Sequence, residues 1–332
     1  MTDKVRWGIL GTGKIAKAFA SALKDTPDAQ LAGVGSRNPA SADWFTREFG
    51  GTAYASYEDL VHAPDVDLVY VGTPHPMHYE NVRLALEAGK GVLCEKAFTV
   101  NRRQAEELVQ LAREKNLFLM EAMWTRFLPA LAEVRRIIES GEIGAVRQVN
   151  ADLGFKADLA PAHRVLNPAL GGGALLDLGI YPLSIAAGLL GPVAEIRAQA
   201  EMGPTGVDVQ TGFTLKHEGG GMSVCSCSLL ARTPAELTVA GERGHVRMNT
   251  RFHCATSVTV TLDDGTSRTI DTPYLGNGYV HEAIEAQRCW QAGLLESPVM
   301  TQRETLALMG VMDEIRRQIG LRYEADRVRP PA

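Results

Sequence analysis

The N-terminal third of the chain alternates between short apolar runs and segments of helical periodicity. The apolar runs are VRWGIL, LAGVGS, VDLVYVG, GVLCE and FLMEAM. Runs without polar alternation are typical of strands that are buried on both faces of a parallel sheet. The helical segments between them cover residues 14–24, 41–49, 77–88 and 101–116. Strands joined by helices in this way predict a doubly wound parallel sheet.

The pattern changes after Trp124. Period-two alternation there predicts a largely antiparallel sheet, with strands in AEIRAQAEM, VQTGFTLKH, GMSVCSCSLL, AELTVAG, HVRMN, SVTVTLDD and SRTID. Further helices are predicted over residues 129–139, 173–190, 279–291 and 303–318. We therefore predict an α/β protein with a doubly wound domain over residues 1–123. An α+β domain with a large, mostly antiparallel open sheet would follow over residues 124–332, and its C-terminal helix could pack back on the first domain.

Composition narrows the functional classes. A net charge of −5 over 332 residues gives no basic surface of the kind that binds nucleic acid. We find no apolar run of about eighteen residues and no secretion signal before the first strand, so no membrane segment is expected. The five cysteines lack the spacing of a disulfide framework, which favours the reducing cytoplasm. Cys225 and Cys227 would share one face of a strand, where sheet packing is favoured over metal binding, and no metal is expected.

A glycine-rich turn, GILGTGKIA, directly follows the first predicted strand and begins the first helix. Gly11 permits a tight turn, Gly13 lets the backbone approach a pyrophosphate, and the small Ala16 allows close packing of helix and strand. This context favours a Rossmann dinucleotide-binding domain, and the alternative is a glycine turn in another kind of α/β protein. The predicted cofactor contacts in the turn are Gly11, Thr12, Gly13, Lys14 and Ile15.

The end of the second predicted strand bears on the choice of dinucleotide. NAD-selective sites usually carry Asp or Glu about 20 residues after the turn, where it binds the ribose 2′-hydroxyl. This chain has Gly35, Ser36 and Arg37 at that place. A hydroxyl and a guanidinium suit a 2′-phosphate, so NADP(H) is predicted over NAD(H). The alternative is a solvent-facing Ser–Arg pair without a ligand.

The segment GTPHPMHYENV follows the strand VDLVYV, at a carboxyl end of the predicted sheet. Ligands bind at such ends in doubly wound folds, so Thr73, His75 and His78 are predicted to line the cofactor cleft. A zinc site is not favoured, because no third ligand lies nearby in the sequence. The alternative for each histidine is a helix cap or a packing residue.

Lys96, Asp177 and Tyr181 are candidates for proton chemistry. Hydride transfer to a carbonyl needs a proton donor at the oxygen, and the reverse reaction needs a base. Tyr181 can serve if a nearby cation lowers its pKa from about 10, and Lys96 supplies such a cation. Asp177 and Tyr181 are four residues apart on one predicted helix, so both side chains present to the same cleft. The alternative is a surface Asp and a Tyr at the edge of the core.

Several segments point to a known family. These are AGKGVLCEKAFTVN, LFLMEAMWTRFLPAL, LGGGALLDLGIYPL, TGVDVQTGF, HEAIEAQRCWQAGLLESPVM and MDEIRRQIG. Over nearly its whole length the chain resembles the glucose–fructose oxidoreductase/inositol dehydrogenase (Gfo/Idh/MocA) family. Its motifs EAMWTRF and ALLDLGIYP most resemble the dimeric dihydrodiol dehydrogenases, which also act as NADP-dependent D-xylose dehydrogenases. Two positions depart from the family pattern: Ala97 replaces the usual proline after Glu-Lys, and His163 replaces a frequent tryptophan before the arginine.

The resemblance implies roles for the residues that match. Lys96 and Tyr181 would be the proton-transfer pair, and Asp177 would orient them and bind a substrate hydroxyl. Ser36 and Arg37 would hold the 2′-phosphate of the cofactor.

The resemblance also implies further contacts. Glu95 would border the nicotinamide together with the lysine that follows it, and Arg164 would lie near the nicotinamide or the diphosphate. Trp124 and Phe155 would form an apolar wall of the substrate pocket, with Tyr279 as a further candidate. The alternative for the three aromatic residues is the ordinary core, where aromatic side chains are common.

The expected function is reversible hydride transfer between NADP(H) and a sugar or vicinal diol, such as D-xylose, another aldose or a trans-dihydrodiol. A cytoplasmic homodimer or homotetramer that associates through the open sheet is expected, with a small-molecule substrate as its partner. The alternatives are an NAD(H)-dependent inositol-type dehydrogenase, another keto-sugar reductase, an NAD-dependent glycosidase and a non-catalytic dinucleotide-sensing regulator. Lys96, Asp177 and Tyr181 argue against the regulator, since a sensor does not need proton chemistry.

Overall fold

The N-terminal elements form a six-stranded sheet with helices between the strands. The computed structural model describes residues 4–157 and 163–327. In chain order the elements are β1 (Val5–Leu10), α1 (Lys14–Asp25), β2 (Ala29–Gly35), α2 (Pro39–Phe49), β3 (Thr52–Tyr54), α3 (Tyr57–Val61), β4 (Leu68–Val71), α4 (His78–Glu87), β5 (Gly91–Glu95), α5 (Arg102–Glu114) and β6 (Leu119–Ala122). Every residue of β4, β5 and β6 is buried, which explains why these strands show no polar alternation.

The strand order is β3-β2-β1-β4-β5-β6, and every neighbouring pair is parallel. The predicted doubly wound parallel sheet is therefore confirmed. The order reverses between β1 and β4, and ligands of such sheets bind at the carboxyl ends of the strands near this switch point. The Gly72 amide, just after β4, donates to the carbonyl of Leu10 at 3.0 Å. The segments that follow β1 and β4 therefore adjoin at the switch point.

The following elements build an eight-stranded sheet and four further helices. They are α6 (Pro129–Glu139), β7 (Val146–Gly154), α7 (Ile180–Leu190), β8 (Val193–Met202), β9 (Asp208–His217), β10 (Met222–Ser228), β11 (Leu237–Gly241), β12 (Gly244–Met248), β13 (Ser257–Leu262), β14 (Ser267–Asp271), α8 (Val280–Gln291) and α9 (Gln302–Ile319). The strand order is β14-β13-β12-β11-β7-β10-β9-β8. All neighbouring pairs are antiparallel except β7 and β10, so the predicted, mostly antiparallel sheet is confirmed.

The predicted helix over residues 173–190 is not a regular α-helix throughout. A π-helical turn, Leu175–Gly179, precedes α7, so the prediction is wrong for this turn. The turn apart from Asp177, and the first seven residues of α7, are buried, which leaves no polar periodicity there from which the change could be predicted. The stretch Pro168–Leu190 is long and apolar enough to cross a membrane, but 72% of its most apolar window is buried inside the protein, as in the core helix of a globular domain.

The chain divides into two compact units. The first consists of Met1–Trp124 with Leu275–Leu306, and the second of Thr125–Tyr274 with Ala307–Ala332. The segment Leu275–Leu306, which the sequence boundary at residue 123 assigns to the second domain, packs in the first unit through α8. Gln287 of α8 accepts a hydrogen bond from the Trp7 indole at 2.9 Å and donates one to the carbonyl of Pro27 at 2.9 Å.

Candidate active site

The glycine turn lies at the carboxyl end of β1. Gly11 has φ +102°, and a Cβ there would lie 3.1 Å from the carbonyl oxygen of Gly72. Gly13 is the N-cap of α1, and a Cβ there would meet no atom of the described chain within 4 Å. No side chain caps this helix, and its first turn carries no acidic residue. The space in front of α1 and its amide groups therefore fit a diphosphate.

Ser36 and Arg37 adjoin this turn. The Gly11 amide donates to the carbonyl of Gly35 at 3.0 Å, which places the end of β2 beside the glycine turn. Ser36 is buried, and its hydroxyl accepts the amide of Asn38 at 3.2 Å, whereas Arg37 is exposed. Burial raises the pKa of Tyr57, and the neighbouring Arg37 guanidinium partly opposes this rise. The pair thus lies at the strand end where a Rossmann domain binds the adenosine ribose.

His78 connects the segments that follow β4 and β5. Its side chain is 1% exposed, and its Nε2 lies 2.7 Å from the carbonyl oxygen of Thr73. Its Nδ1 lies 3.0 Å from that of Ala97 and 3.2 Å from that of Phe98. Burial lowers the pKa of His78, and the charge of Lys96 acts in the same direction. These contacts hold the imidazole between the two segments, and a place for His78 along the cofactor cleft stays a prediction.

The backbone that carries Lys96 is fixed by side chains around it. His75 Nε2 lies 3.2 Å from the carbonyl oxygen of Lys96. The amide of Phe98 donates to Glu121 at 3.1 Å, and Glu121 in turn accepts the hydroxyl of Thr305 at 3.0 Å. The peptide bond between Lys96 and Ala97 is cis. The segment after β5 is therefore held in place by hydrogen bonds although it lacks the family's proline.

Two of the predicted substrate residues meet in the first unit. The rings of Trp124 and Tyr279 stack, with centroids 4.5 Å apart and an interplanar angle of 15°. Trp124 is buried and Tyr279, just before α8, is half-buried. Phe155 lies in the second unit, one residue after β7, and is 39% exposed. The structure therefore brings two of the three predicted aromatic residues together.

Asp177 and Tyr181 lie in the second unit. Asp177 is in the π-helical turn, and its carboxylate accepts a hydrogen bond from Arg164 Nη2 at 2.9 Å. Arg164, predicted as a cofactor contact, thus forms an ion pair with Asp177. Tyr181 lies one residue into α7 and is largely buried, and its ring centroid lies 5.8 Å from that of His253.

Asp208 supports the start of this helical segment, a role that the sequence analysis did not assign. Its Oδ2 accepts the amide of Leu175 at 2.8 Å and the hydroxyl of Thr211 at 2.6 Å, and the side chain is 0% exposed. Tyr323 donates to the carbonyl of Gly172 at 2.6 Å, just before the same turn. An unpartnered charge is costly to bury, so a carboxylate at the buried start of a strand needs hydrogen-bond donors around it. This position in the strand is the signal that could have identified Asp208 as a structural residue.

The predicted packing of the two β10 cysteines agrees with the structure. Cys225 and Cys227 lie on one face of the strand, and both are buried. Burial raises the pKa of both thiols, which favours the protonated form. Across residues 4–157 and 163–327 there is no group of three or more His, Cys, Asp or Glu side chains that could hold a metal ion.

Comparison with known proteins identifies the class of protein. Residues 5–123 match the family described as "Oxidoreductase family, NAD-binding Rossmann fold", and residues 131–247 match "GFO/IDH/MocA C-terminal domain". The chain belongs to the GFO/IDH/MocA oxidoreductase family. The predicted family, fold class and enzyme class are thereby confirmed.

Three individual proteins are similar to this chain over nearly its whole length. A trans-1,2-dihydrobenzene-1,2-diol dehydrogenase of Danio rerio is 37% identical, over 97% of this chain and 99% of that protein. A D-xylose 1-dehydrogenase (NADP(+)) of Hypocrea jecorina is 35% identical, over 96% of this chain and 93% of that protein. Among solved structures, the 3-ketoreductase KijD10 of Actinomadura kijaniata in complex with NADP and TDP-benzene has a TM-score of 0.86 at 28% identity, covering 95% of this chain and 98% of that chain.

Proposed function

We propose that this chain is an NADP(H)-dependent oxidoreductase that transfers a hydride between the nicotinamide and a hydroxyl-bearing carbon of a sugar or vicinal diol. The observation that carries the proposal is the strand end beside the Gly11 turn, where Ser36 and Arg37 replace the acid of NAD-selective sites. The similarity to a dihydrodiol dehydrogenase and to an NADP-dependent xylose dehydrogenase supports both the cofactor and the substrate class.

In this proposal the chain's own residues handle the proton of the reacting hydroxyl. NADP(H), when bound, supplies or accepts the hydride. During oxidation the Tyr181 oxygen takes the hydroxyl proton as the C–H hydride leaves and the C=O bond forms, and during reduction Tyr181 returns that proton to the oxygen. The positive charge of Lys96 would favour ionised Tyr181. Because Lys96 belongs to the first unit and Tyr181 to the second, their cooperation is part of the proposal.

Asp177 is the residue proposed to orient the substrate. A carboxylate can accept several hydrogen bonds, so Asp177 can bind a substrate hydroxyl while it remains paired with Arg164. The guanidinium keeps the carboxylate in one orientation, since the contact is charge-assisted. Such a group suits substrates with adjacent hydroxyls, as in aldoses and vicinal diols.

Nicotinamide absorbance tests the proposal. The protein is mixed with NADP⁺ or NAD⁺ and with D-xylose, D-glucose, myo-inositol or a trans-dihydrodiol. Reduction of NADP⁺ in preference to NAD⁺, with a pentose or diol, is the expected result. Preferential reduction of NAD⁺ with myo-inositol would instead support the inositol-type alternative, and NADPH binding without turnover would support the regulator.

We also propose that copies of the chain associate through the open sheet and act in the cytoplasm. Met222 and Val224 lie on one face of β10 and are 50% and 44% exposed, so this face presents apolar side chains to solvent. A Val224→Glu substitution should shift the mass measured by light scattering toward the monomer.

The five cysteines form no disulfide with one another, as expected in a reducing compartment.

A further inference from the structure

A carboxyl group without a hydrogen-bond partner lies in the core of the first unit. Glu282 is in the first turn of α8 and is 0% exposed. Neither of its carboxyl oxygens has a hydrogen-bond partner within the described residues. An unpaired buried charge is costly, so this group is stable there as the neutral acid.

Glu95 is the charged residue that acts on Glu282. It is the last residue of β5, it is buried, and its Oε1 accepts the hydroxyl of Tyr70 at 2.5 Å. Burial in the first place, and the charge of Glu95 in the second, raise the pKa of Glu282 well above its usual range. Two interacting buried carboxyls resist being ionised together. Burial and mutual repulsion therefore favour a state in which only one of the two carboxyls is ionised.

The other titratable groups around the pair are Tyr70, Tyr279 and Cys94. Burial raises the pKa of the Cys94 thiol well above its usual value, and the charges of Glu95 and Glu121 act in the same direction. Burial in the first place, and the charge of Glu95 in the second, raise the pKa of Tyr70 well above its usual value. Tyr70 therefore remains a hydrogen-bond donor to Glu95. The amide of Lys96 lies 3.2 Å from the other oxygen of Glu95, which places the pair directly beside the proposed catalytic lysine.

The charged residues of α1 and α8 have other positions or partners. Helix α1 packs against α8. Its residues Lys17 and Lys24 lie over aromatic rings of α2. Its other charged residues, Lys14 and Asp25, are exposed. On α8, Glu285 pairs with Arg288, and His281 accepts the amide of Leu275 at 3.0 Å. Neither helix therefore supplies a counter-charge to Glu282.

Tyr70, which donates to Glu95, lies beside the segments that form the proposed cofactor site. A Cβ on Gly72 would lie 2.9 Å from the ring of Tyr70, and a Cβ on Gly11 would lie 3.1 Å from the carbonyl oxygen of Gly72. The ring that binds Glu95 is therefore beside the segments that adjoin at the switch point. The oxidised nicotinamide carries a positive charge, whereas the reduced nicotinamide is neutral.

We propose that Glu95 and Glu282 form a charge-matching pair, which keeps its proton when NADPH is bound and releases it to solvent when NADP⁺ binds. This inference rests on the proposed function, because it needs the nicotinamide above β5. A positive ring favours ionisation of both carboxyls, and the neutral ring does not. By linkage, the affinity for NADP⁺ should then increase with pH by up to about tenfold per pH unit, while the affinity for NADPH stays nearly constant.

Isothermal titration calorimetry in buffers of different ionisation enthalpy counts the protons released on binding. The wild type should release close to one proton with NADP⁺ and none with NADPH. The Glu282→Gln variant should release none with either, and its affinity for NADP⁺ should lose its dependence on pH. Glu285→Gln, on the same helix but paired with Arg288, serves as the matched control and should behave as the wild type.

Infrared difference spectroscopy gives a second readout that does not depend on turnover. A protonated-carboxyl band should disappear when NADP⁺ is added to the wild type and should persist with NADPH. Glu282→Asp, which keeps an acid, should retain the proton release if Glu282→Gln does not fold. Equal proton release by the wild type and Glu282→Gln would overturn the inference and leave the proposed function intact. Failure of the wild type to bind either nucleotide would overturn both.

Discussion

Arg164 donates a 2.9 Å hydrogen bond to Asp177, so two residues predicted to serve different ligands form one ion pair. The arginine side chain is 44% exposed, whereas the aspartate side chain is 13% exposed. The geometry therefore assigns Arg164 first to the orientation of Asp177. An experiment can distinguish this role from direct binding of Arg164 to the cofactor.

Replacing Arg164 by Gln should lower kcat/KM for the sugar or diol by up to about fivefold. The size follows from the loss of a partly exposed ion pair, which is worth up to about 1 kcal/mol. The affinity for NADPH, measured by fluorescence titration, should change less than about twofold on the same grounds. A large loss of NADPH affinity with unchanged kcat would instead assign the arginine to the diphosphate.

Replacing Tyr181 by Phe should remove most turnover and leave NADPH binding intact. The phenylalanine ring preserves packing against the surrounding core but removes the hydroxyl that exchanges the substrate proton. Loss of a general acid–base group typically costs about a hundredfold to ten-thousandfold in rate. Steady-state kinetics and NADPH titration on the same preparation measure the two quantities. A joint loss of both would mean that the tyrosine acts through folding.

Replacing Ser36 by Asp should reverse the preference between the two dinucleotides. A carboxylate at this strand end repels the 2′-phosphate of NADP(H) and accepts the 2′-hydroxyl of NAD(H). We expect NADPH affinity to fall by at least about tenfold, as one unfavourable charge contact of about 1.4 kcal/mol would produce. Arg47→Gln, an exposed change in the last turn of α2, is the control and should not alter the ratio.

Gly11→Ala should lower stability, whereas Gly13→Ala should weaken cofactor binding. Gly11 has a positive φ and adjoins the Gly72 carbonyl, so alanine there should lower the free energy of unfolding by about 1–3 kcal/mol. Gly13 has φ −73° and open space around its Cβ position, so alanine should leave stability nearly unchanged. The added methyl at residue 13 should nevertheless weaken NADPH binding, because it fills the space proposed for the diphosphate. Thermal unfolding and NADPH titration distinguish the two variants.

The sequence was most informative where one physical effect dominates. Buried parallel strands such as β4 and β5 need continuous apolar residues, so their positions were predictable. Strand β7 was not predicted, because its first residues, VRQ, are largely solvent-facing and its apolar alternation is short. The π-helical turn was not predictable either, since four of its five residues are buried and show no polar periodicity.

Side-chain partnerships were harder to predict than elements. Glu282 lies on the same helical face as Ala286 and Cys289, a pattern that could have marked it as buried, but carboxylates in a first helical turn usually face solvent. The ion pair of Arg164 with Asp177 joins residues thirteen positions apart across a turn and two short helical segments. Such pairings depend on backbone geometry that local sequence patterns do not specify.

The return of Leu275–Leu306 to the first unit has a consequence for synthesis of the protein. Because α8 supplies Gln287 to Trp7 and Pro27, the indole N–H and the Pro27 carbonyl lack these partners until the chain has been translated beyond α8. The nascent N-terminal segment therefore lacks these two hydrogen bonds throughout translation of the entire second sheet. A fragment of the protein that ended after β6 would lack both hydrogen bonds permanently.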